Sequence, residues 1–174
     1  MSTTIIGLSG KKHSGKNTVA KMIETLAGVS VVEIGFADAL KKEVAKACGT
    51  SVSFIDEHKD NFRLILQGWG TDYKRKLISD SYWTDKVLQQ IQDAINDDIQ
   101  LVIITDVRFP NEYNFINSLG GILVRISRPI INADNHPSET ALDSVNNWHH
   151  IILNTGTIDD LEPQVEELIK KIKL

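Results

Sequence analysis

The run Gly10-Lys11-Lys12-His13-Ser14-Gly15-Lys16-Asn17-Thr18 combines glycines, a hydroxyl and a lysine at the spacing G-x-x-x-x-G-K, which suits the holding of phosphate groups. The glycines let backbone N–H groups curl around an anion, and a helix that follows points its positive end at the same anion. Lys16 brings a point charge to the terminal phosphates. The residue after this lysine is ordinarily Ser or Thr, whose hydroxyl binds Mg²⁺. Here it is Asn17, whose amide oxygen is a weaker ligand than a carboxylate. Asn17 is therefore a candidate metal or water ligand, and Thr18 either reaches an α-phosphate or simply completes the first helical turn. A second cluster, Asp106-Val107-Arg108-Phe109-Pro110-Asn111-Glu112, follows the apolar run Leu101–Thr105. At the carboxyl end of a strand in an open α/β sheet, Asp106 can hold a magnesium water or a substrate hydroxyl, and Arg108 can pair with a phosphate. The alternative is a surface ion pair among Asp106, Arg108 and Glu112, worth little.

These groups need a scaffold, and the sequence supplies alternating strand and helix patterns. Thr3–Leu8 reads as a buried strand, and Val19, Met22, Ile23 and Leu26 recur at helical spacing before Gly28. Ser30–Ile34, Leu101–Thr105, Ile122–Ser127 and His150–Leu153 read as further strands. Helices are expected along Ala37, Leu40, Val44 and Ala47, along Val87, Leu88, Ile91 and Ile95, and over about Asn111–Leu119. The stretch Phe54–Ile78 reads as helical but interrupted at Gly68 and Gly70. A last helix is expected to start near Thr157, as its N-cap, with Asp159 and Asp160 in the first turn and Leu161, Val165, Leu168, Ile169 and Ile172 on its face. Residues 128–147 are polar and irregular and read as a mobile loop or lid. The expected fold is one α/β domain: a five-stranded parallel sheet with helices on both faces, a helical insert over about 50–98 and a lid over about 128–147.

Composition excludes several classes. The chain has 174 residues, 41% hydrophobic and 24% charged, with a net charge of −4. This is an ordinary globular balance, and it disfavours sequence-independent binding to a nucleic-acid backbone. Cys48 is the only cysteine, so no internal disulfide is available, and it reads as a small, partly buried residue. No apolar run is long enough to span a membrane and no signal peptide opens the chain, so the expected compartment is the cytoplasm.

Together, T-D-V-R-F-P-N-E, the S-G-K-N-T phosphate loop and the later H-P-S-E of His136–Glu139 resemble the phage-type deoxynucleoside monophosphate kinases, within the P-loop nucleoside monophosphate kinase superfamily. The likeness also takes in Arg63–Thr71, Trp83, Arg125–Pro129 and Asn154–Thr157. It implies ATP and Mg²⁺ as cofactors, a deoxynucleoside monophosphate as partner, and phosphoryl transfer between the two. A homodimer is admitted, whereas nucleic acid and membrane are not. Gly10, Lys12, His13, Ser14, Gly15, Lys16, Asn17 and Thr18 would hold ATP, with Asn154, Gly156 and Thr157 against the adenine. Arg63, Gln67, Gly70, Thr71, Trp83, Asp106, Arg108 and Glu112 would form the monophosphate pocket. By its place between the second strand and the next helix, Asp38 is either a further substrate contact or an acid at a helix N-terminus. Lys16, Arg108, Arg128 and Asp106 would carry the catalysis, with Asn17 and Asp106 on the metal.

The family usually has Asp where this chain has Asn17. Arg63 and Gln67 stand four apart and so share a helix face. Trp83 either stacks on a base or anchors a core, and Gln67 either reads a base edge or is solvated. Competing readings are a kinase of another phosphorylated metabolite, phosphomevalonate-like, and an ATP-binding module without catalysis, to which Asn17 lends weight.

Overall fold

The computed structural model describes residues 3–129 and 136–172. They fall into two compact units, one of residues 1–34 with 91–174 and one of residues 35–90.

The first unit is built on five strands: β1 (Thr4–Ser9), β2 (Val31–Ile34), β3 (Leu101–Val107), β4 (Ile122–Ser127) and β5 (His150–Leu153). All pair in parallel, in the order β2-β3-β1-β4-β5. The expected five-stranded parallel sheet is thus present. Alternation along β1 sends successive side chains to opposite faces. Ile6 and Leu8 enter a core with Val19 and Ile23 of α1 (Lys16–Leu26) and with Val165 and Leu168 of the last helix (Glu162–Ile172). Gly7 faces the other way, and a Cβ there would lie 2.8 Å from the Cδ1 of Ile116, on the helix Pro110–Ser118. The sheet is therefore covered on both faces, which is why β1 and β3 are near-continuous apolar runs.

Two boundaries differ from expectation by more than one residue, each for a local reason. Strand β3 runs on to Val107, and its register against β1 slips from Gly7↔Ile104 to Ser9↔Val107. The slip leaves one extra residue in β3 beside Thr105 and Asp106, a bulge that re-aims the strand end. The last helix starts at Glu162 rather than near Thr157. Pro163 explains this: a helix begun at Thr157 would need an N–H that proline lacks, whereas the first turn tolerates it. Thr157 instead turns the chain, donating its N–H and its hydroxyl to Asp160 at 2.6 and 2.8 Å.

The second unit is helical: α2 (Phe36–Cys48), α3 (Val52–Glu57), α4 (Lys59–Gln67), a π-helix (Gly68–Ile78) and the start of α5 (Tyr82–Asn96). Labels continue as α6 (Pro110–Ser118), α7 (Pro137–Thr140) and α8 (Glu162–Ile172). Ser51 caps α3 by accepting the Phe54 N–H at 3.1 Å. Val44, Ala45 and Ile55 form the unit's small core, with Leu40, Phe62, Leu66 and Trp69 packed on it. The expected interruption at Gly68 and Gly70 takes another form. Gly68 keeps right-handed helical angles, and the chain widens into a π-helix instead of breaking. The Ser79 N–H bonds back five residues to the Lys74 carbonyl at 2.9 Å, the spacing of that wider coil. Glu43 ties the widened segment to its neighbours, accepting from the Tyr82 hydroxyl at 2.5 Å and Trp69 Nε1 at 3.2 Å and pairing with Lys74 at 3.3 Å. Burial works to raise the Glu43 pKa, and these donors outweigh it, so the net shift is downward. Cys48 is exposed, not partly buried, because it ends α2 just before the left-handed Gly49. Among the described residues, no helix is long and apolar enough to cross a membrane.

Candidate phosphate-binding site

The loop between β1 and α1 is shaped by two left-handed residues, His13 (φ 61°) and Gly15 (φ 98°). Such turns aim successive N–H groups into one concavity. Gly15 is required twice over. Its φ suits glycine, and a Cβ would lie 2.5 Å from the Asn154 amide nitrogen. At Gly10 a Cβ would meet the Ser14 hydroxyl at 2.4 Å and the Ile126 carbonyl at 2.7 Å. Ser14 Oγ is fully buried and has no hydrogen-bond partner, an uncompensated polar atom of the kind a bound ligand oxygen would satisfy. These features fit a nucleotide's phosphates: backbone N–H groups, an orphaned hydroxyl and a cradle that a Cβ would fill.

Lys16 is buried at 8% exposure and folds back, donating to the Gly10 and Lys11 carbonyls at 2.6 and 2.8 Å. Burial and then the nearby Arg108 guanidinium lower its pKa to about 8, against opposing pulls from Glu139 and Asp106. The ammonium is thus charged at neutral pH but poorly compensated, and a polyanion would relieve it. Asn17 and Thr18 lie exposed on the first turn of α1. Asn17 and Asp106, the latter half-buried at the β3 bulge, offer amide and carboxylate oxygens, a donor set that fits a hard divalent cation.

Around this loop the structure assembles a charged rim. Arg108, past the end of β3, pairs with Glu139 of α7 and donates to the Ser138 carbonyl at 3.3 Å. The other Glu139 oxygen accepts the Lys12 backbone N–H at 2.6 Å. Burial would raise the Glu139 pKa, but Arg108 and the Lys12 N–H overcome it and hold it below the usual carboxylate value. Arg128 donates to the His13 carbonyl at 3.3 Å. Arg125 reaches Ser9 Oγ at 3.0 Å and Asp143 at 3.1 Å, and Lys11 binds the other Asp143 oxygen at 2.9 Å. Two residues of the expected lid, Glu139 and Asp143, thus bond to Lys12 and Lys11 of the loop, while 130–135 lie outside the described residues.

Several expected ligands have structural partners. Glu112 is 1% exposed and accepts the N–H groups of Arg108 and Phe109 at 2.7 and 3.0 Å, so its carboxylate closes the start of α6. Asn154 is buried and donates to the Ser14 carbonyl at 2.9 Å, bracing the loop from the end of β5. At Gly156 a Cβ would lie 2.2 Å from the Asp160 carboxylate, the group that accepts from Thr157.

In the helical unit, Arg63 and Gln67 are half-buried on α4, and Thr71 is half-buried on the π-helix. Gly70 is buried, and a Cβ there would sit 2.9 Å from Leu40 Cδ2. Trp83 is 2% exposed and donates its indole N–H to the Gly70 carbonyl at 3.0 Å, a core position with little ring face open. Asp38 is exposed in the first turn of α2, 3.9 Å from Lys41. Glu139 and Asp143 are the partners that residue-type reasoning did not single out for the loop. The H-P-S-E run was the available signal for Glu139; Asp143 had none.

Residues 48–165 match the family model described as deoxynucleotide monophosphate kinase. A protein of Acanthamoeba polyphaga mimivirus, provisionally named a deoxynucleotide monophosphate kinase, is 32% identical over 182 residues, covering 92% of this chain and 93% of its own. The deoxynucleoside-5'-monophosphate kinase of Escherichia phage T5 is 30% identical over 112 residues, 59% of this chain and 43% of the phage protein. Among solved structures, shikimate kinase from Acinetobacter baumannii shares the fold with a TM-score of 0.52 at 18% identity, covering 99% of this chain and 96% of its own. The phosphate loop lies outside the span of the family match, but the mimivirus relative covers nearly the whole chain, and the loop's geometry agrees with the same assignment. This chain belongs to the deoxynucleotide monophosphate kinase family.

Proposed function

We propose that the protein transfers the terminal phosphoryl group of ATP to a deoxynucleoside monophosphate, in line and with Mg²⁺. The observation that carries this reading is the loop itself: a buried, charge-starved Lys16 beside an orphaned Ser14 hydroxyl in a glycine cradle. Such a site gains most from a polyanion.

The reaction brings two anions together, and the acceptor phosphate is already a charged nucleophile at neutral pH. The chain's task is positioning and charge neutralisation. The loop N–H groups and Lys16 hold the triphosphate. Arg108 and Arg128, both anchored at the loop rim, supply further positive charge. When bound through Asn17 and Asp106, Mg²⁺ would neutralise phosphate oxygens. In the helical unit, Arg63 would bind the acceptor phosphate and Gln67 would read a base edge, since they share the α4 face.

The test is ADP formation from ATP with Mg²⁺ against dAMP, dGMP, dCMP and dTMP, with phosphomevalonate and no acceptor as controls. Turnover that depends on a deoxynucleoside monophosphate is the expected outcome. Turnover with phosphomevalonate alone would assign a different acceptor. ATP binding without transfer to any acceptor would make the chain a binding module.

A further inference from the structure

Glu139 sits in an odd place for a carboxylate. Its side chain is 7% exposed, and it lies on α7, a single short turn. One oxygen accepts a phosphate-loop N–H, that of Lys12, at 2.6 Å. The other pairs with Arg108. It also acts electrostatically on Lys16. A backbone N–H and a guanidinium are groups that receive a phosphate oxygen, and here a protein carboxylate takes both up.

From this geometry we infer that the Glu139 carboxylate is an internal anion occupying a phosphoryl subsite of the loop, and that a bound polyphosphate displaces it. The inference rests on the loop being a nucleotide site. Ligand-free protein thereby keeps the Arg108 guanidinium paired, at the expense of affinity. Displacement returns the Lys12 N–H and the Arg108 guanidinium to the incoming phosphate. The apparent affinity for a polyphosphate is then the intrinsic affinity reduced by the fraction of molecules in which the carboxylate has left. The pairing contributes only the difference between two paired states of Arg108, since its guanidinium is never left bare.

The experiment is calorimetric titration of the whole protein with tripolyphosphate, without metal, for the wild type, Glu139→Gln and Glu139→Asp, each checked for a cooperative melt. Glu139→Gln keeps the size and loses the charge, and it should bind about tenfold tighter, the loss of one charge-assisted pairing. Glu139→Asp keeps the charge on a shorter arm that cannot span both partners, so it serves as the second variant if the amide fails to fold and should bind tighter by a smaller factor. A carboxylate that merely braces the loop predicts the reverse, with binding unchanged or weaker in both variants, and that result overturns the inference. Wild-type binding with no gain in either variant removes Glu139 alone. Failure of all three proteins to bind tripolyphosphate removes the nucleotide reading of the loop, and the inference with it.

Discussion

The side-chain amide of Asn154 donates to the backbone carbonyl of Ser14 at 2.9 Å, joining residues 140 positions apart. It ties the end of an edge strand to the loop that cradles phosphate. Because the donor is buried, replacing it leaves the Ser14 carbonyl unsatisfied, at about 1–3 kcal/mol. Asn154→Leu should weaken ATP binding, raising its KM severalfold, while the KM for the acceptor stays put. Equal changes in both would argue against a local loop effect.

Gly15→Ala tests the same contact from the other side. The substitution forces a Cβ into the left-handed region and to within 2.5 Å of Asn154. The expected outcome is a loss of ATP binding of at least tenfold, with the melting temperature lowered by a few degrees, corresponding to about 1–2 kcal/mol. Normal ATP titration by this variant would show that the loop tolerates another conformation.

Lys16 should trade stability for function. Its pKa falls from 10.5 in the unfolded chain to about 8 in the folded one, so between those values the unfolded state holds more protons and stability rises with pH. Below pH 8 the full penalty applies. Lys16→Met lacks this titration, so its stability relative to wild type should fall as pH rises from 8 towards 10, while it loses most turnover. A difference in melting temperature that stays constant across that pH range would contradict the buried-charge account.

Arg108→Ala should lower turnover about 10³-fold, the range seen for arginines that stabilise a transferring phosphoryl group. Near-normal kcat in a folded variant removes Arg108 from the chemistry. Asn17→Asp replaces an amide oxygen by a stronger ligand for a hard cation, and the Mg²⁺ concentration for half-maximal activity should fall. An unchanged magnesium titration would take Asn17 out of the coordination shell.

Trp83 separates packing from recognition. Because it is buried, Trp83→Ala should cost about 3–5 kcal/mol, read as a lower denaturation midpoint. Trp83→Phe loses the bond to Gly70 at about 1 kcal/mol and should leave the acceptor KM unchanged. A raised KM with stability intact would restore the base-stacking role.

Much of the architecture follows from local pattern. The strands β1 and β3 are apolar on both faces because helices cover both, and that alone separates them from half-exposed strands. The phosphate loop is legible because its glycines and lysine act through their spacing along the chain, a purely local property. The start of α8 was also within reach, since Pro163 cannot sit deep in a helix. What the chain could not disclose depends on atoms distant in sequence. That Trp83 faces a core, and that Glu139 lies against Lys12, 127 positions away, are decided when separate segments pack. Composition says which groups can bond; only the folded chain decides which of them meet, because hydrogen-bond reach is about 3 Å and no sequence spacing measures that.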